Sequence, residues 1–425
     1  MEKNKMGLAS KVLIALVIGV VVGIIVHSLP AGALRDKFLI DGIFQFVGQV
    51  FLRGIMMVVV PLVFVSLANG AASMGDVRKL GKVGIKTILF FLTTTAIAIA
   101  IGLTMAFLFN PGIGLDMGAI GTVEYTARAG KPIAEVLYEM VPRNPVQALA
   151  EGNMLQIIVF AIVVGIAITL IGEKGKKILE LLEQLNELVM KLVGIVMALA
   201  PIGVFCLVAR TFGQIGISVI VPLGKSVIAV YIALAIQLVV VYGIMLKGFA
   251  GLSLTRYIKK LSPAMAIAFS TCSSAAALPA NMDLTINRIG ASKDISSFVL
   301  PLGNTVNMNG TAIYQGVAAV FIAQAYGIPV TPTMALMIVL SATLASIGTA
   351  GVAGAGAIML SMVLHTVGLP IEGVGLIFGI DRIYDMGRTA MNITGDSVVA
   401  SIISKQEGEF DEETWETDFA KDEVA

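Results

Sequence analysis

The sequence predicts an all-α polytopic membrane protein: eight transmembrane helices plus two re-entrant helical hairpins, arranged as inverted repeats. Three observations predict it. Of 425 residues, 57% are hydrophobic and only 13% charged, where a soluble domain carries nearer a quarter charged residues. Apolar runs long enough to cross a bilayer, about 20 residues each, recur from end to end. Several of these runs are interrupted at mid-span by small or polar residues, the pattern of unwound backbone that lines a cavity.

The same composition excludes other classes. A net charge of +1 gives no electrostatic footprint for nucleic acid. Cys206 and Cys272 both sit in apolar context and suggest no disulfide framework. His27 and His365 are too few for a typical zinc site. No HExxH, Walker A or GxSxG motif is present. An intramembrane enzyme needs a nucleophile–base pair or a metal cluster, and none is visible, so the chain reads as a non-enzyme without a resident cofactor.

The elements follow in order. Lys3, Lys5 and Lys11 precede an apolar run ending near His27, and Ala31-Gly32-Ala33 imitates a signal cleavage site. That run is too long for a signal peptide and the rest of the chain is equally apolar, so it is the first span. Spans are expected at 8–29, 43–67, 84–109, 154–171, 188–212, 218–246, 298–326 and 374–404. Basic residues cluster at the N-terminus and at 78–86, 174–177, 247–260 and 288–293. With eight crossings these clusters share one side, which the positive-inside rule makes cytoplasmic, with both termini inside.

Two segments do not fit as simple spans. Residues 261–282 hold Ser270-Thr271-Cys272-Ser273-Ser274-Ala275-Ala276-Ala277 and then Leu278-Pro279. Residues 332–370 hold SIGTAGVAGAG, 346–356, at their middle. Gly/Ala-rich helix packing explains small residues, but not a Ser-Ser or Gly-rich break at mid-span. Each reads as a re-entrant hairpin. A third break, GNTVNMNGT at 303–311, lies inside the seventh span. Such breaks free backbone carbonyls for Na⁺ and helix N-termini for carboxylates. Hairpin then broken span, hairpin then polar helix, gives two related halves, the signature of a secondary transporter. Residues 110–153 form a longer outer loop without evident chemistry. The tail after Lys405 carries nine acids and Trp415, and reads as a solvated cytoplasmic segment.

The eighth span carries Asp381, Arg382, Asp385, Arg388, Asn392 and Asp396. At ~100° per residue all but Arg382 fall within roughly 80° of arc. Each charge would cost on the order of 2.5–3.5 kcal/mol facing lipid, so the stripe must face protein, water or a polar solute. Arg388 presents a planar fork suited to carboxylates, and it can also pair internally with Asp385 or Asp381 at helical spacing. Asp385 suits an ammonium group, so the two together describe an amino acid with an extra carboxylate. Asp396, one turn beyond Asn392, can join Asn307 and freed carbonyls in an oxygen cage for an alkali cation. Arg382, about 100° off the stripe, is expected in a salt bridge elsewhere in the bundle.

At these residues the chain resembles the glutamate transporter homologues, the dicarboxylate/amino acid:cation symporters that include the excitatory amino acid transporters. The resemblance runs from the first span to about Ser404. It rests on SIGTAGVAGAGAIML (346–360), NMNGTAIYQ (307–315), DMGRTAMNITGD (385–396) and NPVQALAEGNML (144–155). It implies a homotrimer in a prokaryotic inner membrane, in contact with lipid, each protomer working by an elevator-type mechanism. Residues 1–82 and 111–215 would form the scaffold, with the outer loop. Residues 83–110 and 216–404 would form the transport domain, leaving 405–425 as the acidic tail.

The resemblance also implies roles. Arg388 would bind the side-chain carboxylate with help from Thr311, and Asp385 the amino group, with Thr389 beside it. Asn392, Ser274 and the backbone near Gly351 would hold the α-carboxylate. One Na⁺ site would use Gly303, Asn307, Asn392 and Asp396; a second would use Thr305, Ser346, Ile347 and Thr349. The second hairpin would be the gate.

Departures from the family pattern matter. The usual NMDGT is NMNGT here, so Asn309 removes the carboxylate of a third sodium site. Phe91 stands where a tyrosine is common, followed by Thr94 and Thr95. This third site is expected to be degenerate, favouring two coupled Na⁺ over three. Ala353 replaces a proline frequent at the second hairpin tip. Arg382 supplies on the eighth span an arginine that archaeal relatives carry in the first hairpin, where Cys272 stands here. Gln315 offers no titratable group where some relatives carry a proton-bearing glutamate, so H⁺ coupling stays open. The expected activity is Na⁺-coupled import of glutamate or aspartate. The alternatives are H⁺ coupling, a C4-dicarboxylate, cystine or neutral amino acid as substrate, and an anion-conducting channel.

Overall fold

The computed structural model describes residues 8–73, 82–115, 138, 141–346, 354–378 and 380–417. Among the described residues the regular structure is helical throughout. Apolar side chains without alternation leave the backbone no partner in lipid except its own next turn.

Helix α1 (Leu8–His27) is followed by a wide-turned π-helical segment, Ala33–Phe44, that runs directly into α2 (Gln45–Ser73). Helix α3 is Lys82–Phe109. The described part of the outer loop contains a short helix, α4 (Pro145–Glu151), capped by the Asn144 side chain. Helix α5 (Met154–Leu170) follows. The expected fifth span is two helices, α6 (Lys176–Ala198) and α7 (Ala200–Ile215). Residues Gly172–Val196 and Ala200–Gln214 meet at 48°. The bend has a local cause: Pro201 has no N–H for the turn before it and crowds the carbonyl four residues back.

Helix α8 (Ile220–Ile236) continues through π-helical turns at Gln237–Tyr242 and Leu246–Ala250. The two arms expected of the first hairpin are α9 (Leu254–Thr271) and α10 (Ser274–Leu284), which pack against each other. Between them Cys272 takes a left-handed backbone, φ 53°, and Ser273 is extended with its Oγ capping the Ala276 N–H. The polar run 270–274 thus stops one helix and starts the next. Helices α11 (Lys293–Val306) and α12 (Asn309–Ala325) are separated at Asn307 and Met308, whose φ/ψ leave the helical region. The arms of the second expected hairpin are α13 (Pro332–Ser346) and α14 (Ala355–Val367). Its tip, with Ile347, Thr349, Gly351 and Ala353, lies outside the described residues. Helix α15 (Val374–Phe378) precedes α16 (Asp381–Gln406), which carries the polar stripe.

The helices pack as two groups. In one, α1 lies along α7, and α2 packs on α5, α6 and α7. In the other, α12 is buried at every residue but Gln324 and is surrounded by α3, α8, α13 and α16. Helices α9 and α11 complete the cover of α16. The groups meet where α14 touches α2 and α5, where α13 touches α5, and where α15 touches α7.

Among the described residues, two helices are long and apolar enough to cross a membrane by length and composition, Val83–Phe109 and Gly216–Ala250, with the bent pair a third. The seventh and eighth expected spans do not count as single apolar spans for a physical reason. The seventh is cut in two by its amides, and α16 gives apolar length to charge.

The tail departs from expectation in part. The acids of 407–417 are exposed or half-buried, as expected, but the segment folds back, forms α17 (Glu412–Glu416) and buries Trp415 to 5% exposure.

Candidate functional site

Helix α16 delivers its stripe into the middle of the second helix group. Arg388 is 2% exposed, Asp385 5%, Asp381 6% and Asp396 1%. Charges buried to this degree must be compensated. Helical spacing does this for the first three. Arg388 Nε donates to Asp385 Oδ1 at 2.9 Å, while Nη1 and Nη2 reach Asp381 Oδ1 and Oδ2 at 2.9 and 3.3 Å. The Tyr314 ring of α12 lies under the guanidinium, 4.7 Å from Cζ to its centroid. Asp385 also accepts from Thr389 Oγ1 at 3.1 Å and from the Gly354 N–H at 3.2 Å. The last contact comes from the residue that opens the second arm of the second expected hairpin.

Space around Arg388 is set by a glycine. A Cβ at Gly356 would lie 2.5 Å from Cζ and Nη1 and 2.8 Å from Nη2. Only a residue without a side chain lets α14 approach the guanidinium so closely. Three of the five guanidinium donors bond to carboxylates here, so an incoming anion either takes the two that remain or displaces an internal partner.

Below this cluster the site changes character. Asn307, in the break between α11 and α12, donates Nδ2 to Asp396 Oδ1 at 2.8 Å and to the Asn392 carbonyl at 3.3 Å. The Asn307 Oδ1 is buried without a partner among the described residues. Gly303 lies directly against the Asp396 carboxylate, where any Cβ would clash. Among the described residues Asp396 has this one amide donor, and no lysine or arginine pairs with it. Asn392 is pinned across the first turn of α12: Oδ1 accepts from the Gly310 N–H at 2.8 Å, and Nδ2 donates to Thr311 Oγ1 at 3.2 Å and Met308 Sδ at 3.1 Å. Asp396, Asn307, Asn392 and Gly303 therefore converge, leaving one amide oxygen and one carboxylate short of positive partners. A hard cation such as Na⁺ fits such oxygens.

Ser274 is buried as the first residue of α10. Thr305 and Ser346 direct their hydroxyls to their own helices, at Leu302 O and Thr343 O. Ile347, Thr349 and Gly351 lie outside the described residues. In the region expected to hold a third cation, Thr95 Oγ1 donates to Asn309 Oδ1 at 2.6 Å. Thr94 bonds instead to Phe90 O and Phe91 O in its own helix. Phe91 is fully buried, beside Gly303. Among the described residues Arg382 forms no salt bridge, where one was expected; its Nη2 donates to the Ser270 carbonyl at 2.8 Å, tying α16 to the first hairpin tip. The end of α9 presents free carbonyls there, a natural partner for a cation.

Two tyrosines were not singled out from the sequence. Tyr314 supports Arg388, and the Tyr242 hydroxyl accepts from Asn309 Nδ2 at 2.7 Å. The signal was a tyrosine within a mostly apolar helical run, which packing alone also explains.

The sodium:dicarboxylate symporter family matches residues 8–406. The chain belongs to that family. Within this symporter family, the chain is 38% identical to the proton/sodium-glutamate symport protein of Bacillus subtilis (strain 168) over 424 residues, covering 98% of this chain and 96% of the relative. It is 36% identical to the proton/glutamate-aspartate symporter of Escherichia coli (strain K12) over 421 residues, covering 97% and 95%. It is 35% identical to the C4-dicarboxylate transport protein of Bacillus subtilis (strain 168) over 411 residues, covering 95% and 94%. A symporter of this family is a transporter, not an enzyme, and its polar stripe needs no catalytic reading.

Proposed function

We propose that this chain is a cation-coupled importer of acidic amino acids, glutamate or aspartate, with Na⁺ as the coupling ion. The observation that carries the reading is the buried Asp381–Arg388–Asp385 cluster with Gly356 held open over the guanidinium. Arg388 supplies a fork for a side-chain carboxylate, and Asp385 supplies an anion for the ammonium. A C4-dicarboxylate has no amine, so it would leave Asp385 uncompensated once Arg388 turned to the substrate. Thr311, Thr389, Asn392, Ser274 and the Gly351 region complete the substrate site in this reading.

One Na⁺ sits among Asp396, Asn307, Asn392 and Gly303; a second is taken by Thr305, Ser346, Ile347 and Thr349. Binding order follows from electrostatics. A cation at Asp396 removes a buried negative charge near the substrate site, so it favours the anionic substrate, and by linkage the substrate favours the cation.

The working unit proposed is a homotrimer in a prokaryotic plasma membrane with both termini cytoplasmic. Eight helices span the bilayer, and 261–282 and 332–370 enter it as re-entrant hairpins. Residues 83–110 and 216–404 move as one elevator-like block against a scaffold of 1–82 and 111–215. The division of the helices into two packed groups supports that partition.

The test is uptake of radiolabelled aspartate and glutamate into proteoliposomes, with Na⁺ and H⁺ gradients imposed separately. Uptake driven by Na⁺ alone is expected. Uptake driven by H⁺ alone would assign proton carriage to this site and remove both Na⁺ sites. Uptake of a C4-dicarboxylate but of neither amino acid would overturn the role of Asp385, and flux that no gradient can concentrate would indicate a channel.

A further inference from the structure

The last described segment, 407–417, is built into the protein rather than appended to it. Its anchor is Lys260 of α9, only 7% exposed. The Lys260 ammonium donates to three backbone carbonyls: Arg288 at 2.8 Å, Thr414 at 2.9 Å and Trp415 at 2.6 Å. It thereby caps the end of α17 while gripping the turn that follows α10. The buried Trp415 ring roofs this ammonium, with Nζ 5.0 Å from the centroid, and Arg256 covers the ring from one turn away at 5.5 Å. Arg256 also reaches Glu416, with Nη1 at 2.6 Å from Oε2 and Nη2 at 2.7 Å from the backbone carbonyl.

The grip extends to neighbouring elements. The Asp411 N–H donates to the Gly290 carbonyl at 2.8 Å. Gly290 has φ 93°, and a Cβ there would collide with the Asp411 carbonyl. Ser292 Oγ donates to Glu409 Oε2 at 2.6 Å. Lys86 of α3 pairs with Glu407, and Lys405 at the end of α16 pairs with Glu412. Beneath Trp415, the Tyr257 hydroxyl of α9 meets Ser397 and Ser401 of α16 at 2.6 and 3.0 Å, and Ser397 also meets Thr285 at 2.7 Å. Both roots of the first hairpin are thus zipped to α16 by hydroxyls, and 407–417 closes over the zip. Among the described residues its hydrogen bonds and ion pairs run to α9, to 288–292 after α10, to α3 and to α16.

We infer that residues 407–417 are a clasp that holds the root of the first hairpin against α16 and limits opening of the transport block on that side of the membrane. Local opening is set by the weakest ties around a segment. For the roots of α9 and α10 those ties include the Lys260–Trp415 anchor and the Arg256–Glu416 pair. Breaking them loosens 254–289 without touching Arg388 or Asp396.

The test uses the full-length protein and its Trp415→Ala variant, with Arg256→Ala as a milder second variant should the first fail to fold. Hydrogen–deuterium exchange is read across the chain, and tracer efflux is read from preloaded proteoliposomes. In Trp415→Ala, exchange within 254–289 should quicken by about 10-fold, while α5 and α12 stay unchanged, and efflux should rise. Arg256→Ala should give a smaller change in the same region. Unchanged exchange at 254–289, or a uniform increase over the whole protein, overturns the clasp. Local loosening with unchanged efflux overturns its control of opening. The efflux arm rests on the proposed transport function and the exchange arm does not. A wrong substrate would therefore show as absent flux in the unsubstituted protein, with the exchange result intact.

Discussion

Two polar regions share α16 and solve the problem of buried charge in opposite ways. Around Arg388, two carboxylates, one guanidinium and the Tyr314 face satisfy each other within a single helix and its neighbour. Around Asp396, two turns further on, a carboxylate as deeply buried has, among the described residues, one amide donor, Asn307, whose own oxygen is left without a partner. The first region holds its charges in internal pairs, with which an incoming anion would compete. The second is short of positive charge and is completed by addition. In the proposed reading the contrast separates selectivity from coupling: an exchange of partners would select a substrate, whereas a deficit would recruit a cation.

The largest effect should come from breaking the first region. Arg388→Ala leaves Asp381 and Asp385 buried without a cation, a loss on the order of 3–5 kcal/mol for a broken buried pair. Glutamate and aspartate uptake should fall by at least ~100-fold, a scale equal to about 2.8 kcal/mol. Arg388→Lys keeps the charge but not the fork, so it should assemble normally and still transport poorly. Retained uptake with unchanged affinity in either variant would defeat the assignment of the carboxylate site.

The next effect belongs to the second region. Asp396→Asn keeps the shape and removes the deficit proposed to attract the cation. Sodium affinity should drop by roughly 10- to 100-fold, read as the Na⁺ concentration giving half-maximal substrate binding. Thermal stability without Na⁺ should rise or hold, because a buried charge is gone. If sodium dependence is unmoved, Asp396 is not a ligand and the contrast between the regions fails.

Gly356→Ala probes the first region more gently. Its new Cβ would meet the guanidinium at 2.5 Å, and one methyl forced into a packed site costs ~1–3 kcal/mol. Substrate affinity should weaken by about 10-fold while Na⁺ binding in the absence of substrate stays unchanged. A parallel loss of both would show that the two regions are not separable.

The extent to which these regions were readable from sequence follows from the same physics. Charges in a membrane-grade helix stand out because lipid cannot hold them, and helical spacing alone placed Asp381, Asp385, Arg388, Asn392 and Asp396 on one face. The breaks at Cys272–Ser273 and Asn307–Met308 were legible because polar amides and hydroxyls interrupt apolar runs. Tyr242 and Tyr314 were not, since an aromatic in an apolar helix looks the same whether it packs or bonds. Arg382 went to a carbonyl because a helix end offered one, a tertiary fact with no sequence trace. The clasp was hidden by composition: the acids of the tail argue for solvation, and only the fold brings Lys260 beneath Trp415. The bend at Leu199 was written in Pro201, but proline is tolerated in membrane helices, so a straight span was an equally natural expectation.

The smallest expected effect on substrate binding is the one that would enlarge the second region. Asn309 is fully buried, accepting from Thr95 through Oδ1 and donating to Tyr242 through Nδ2. As an amide it is satisfied on both sides and brings no charge, so nothing there calls for a cation. Asn309→Asp turns the donor into an acceptor. The Tyr242 hydroxyl can reverse to donate, but the new carboxylate remains buried without a counter-charge, which costs several kcal/mol unless a cation enters. The variant should therefore be less stable than the parent in the absence of Na⁺ and recover as Na⁺ is added, with a steeper sodium dependence of substrate binding. A thermal unfolding series across sodium concentrations reads the first effect, and the Hill slope reads the second. If both match the parent, Asn309 is not the limiting difference: Phe91, and Thr94 bonded into its own helix, would then keep the third position closed whatever charge stands at 309.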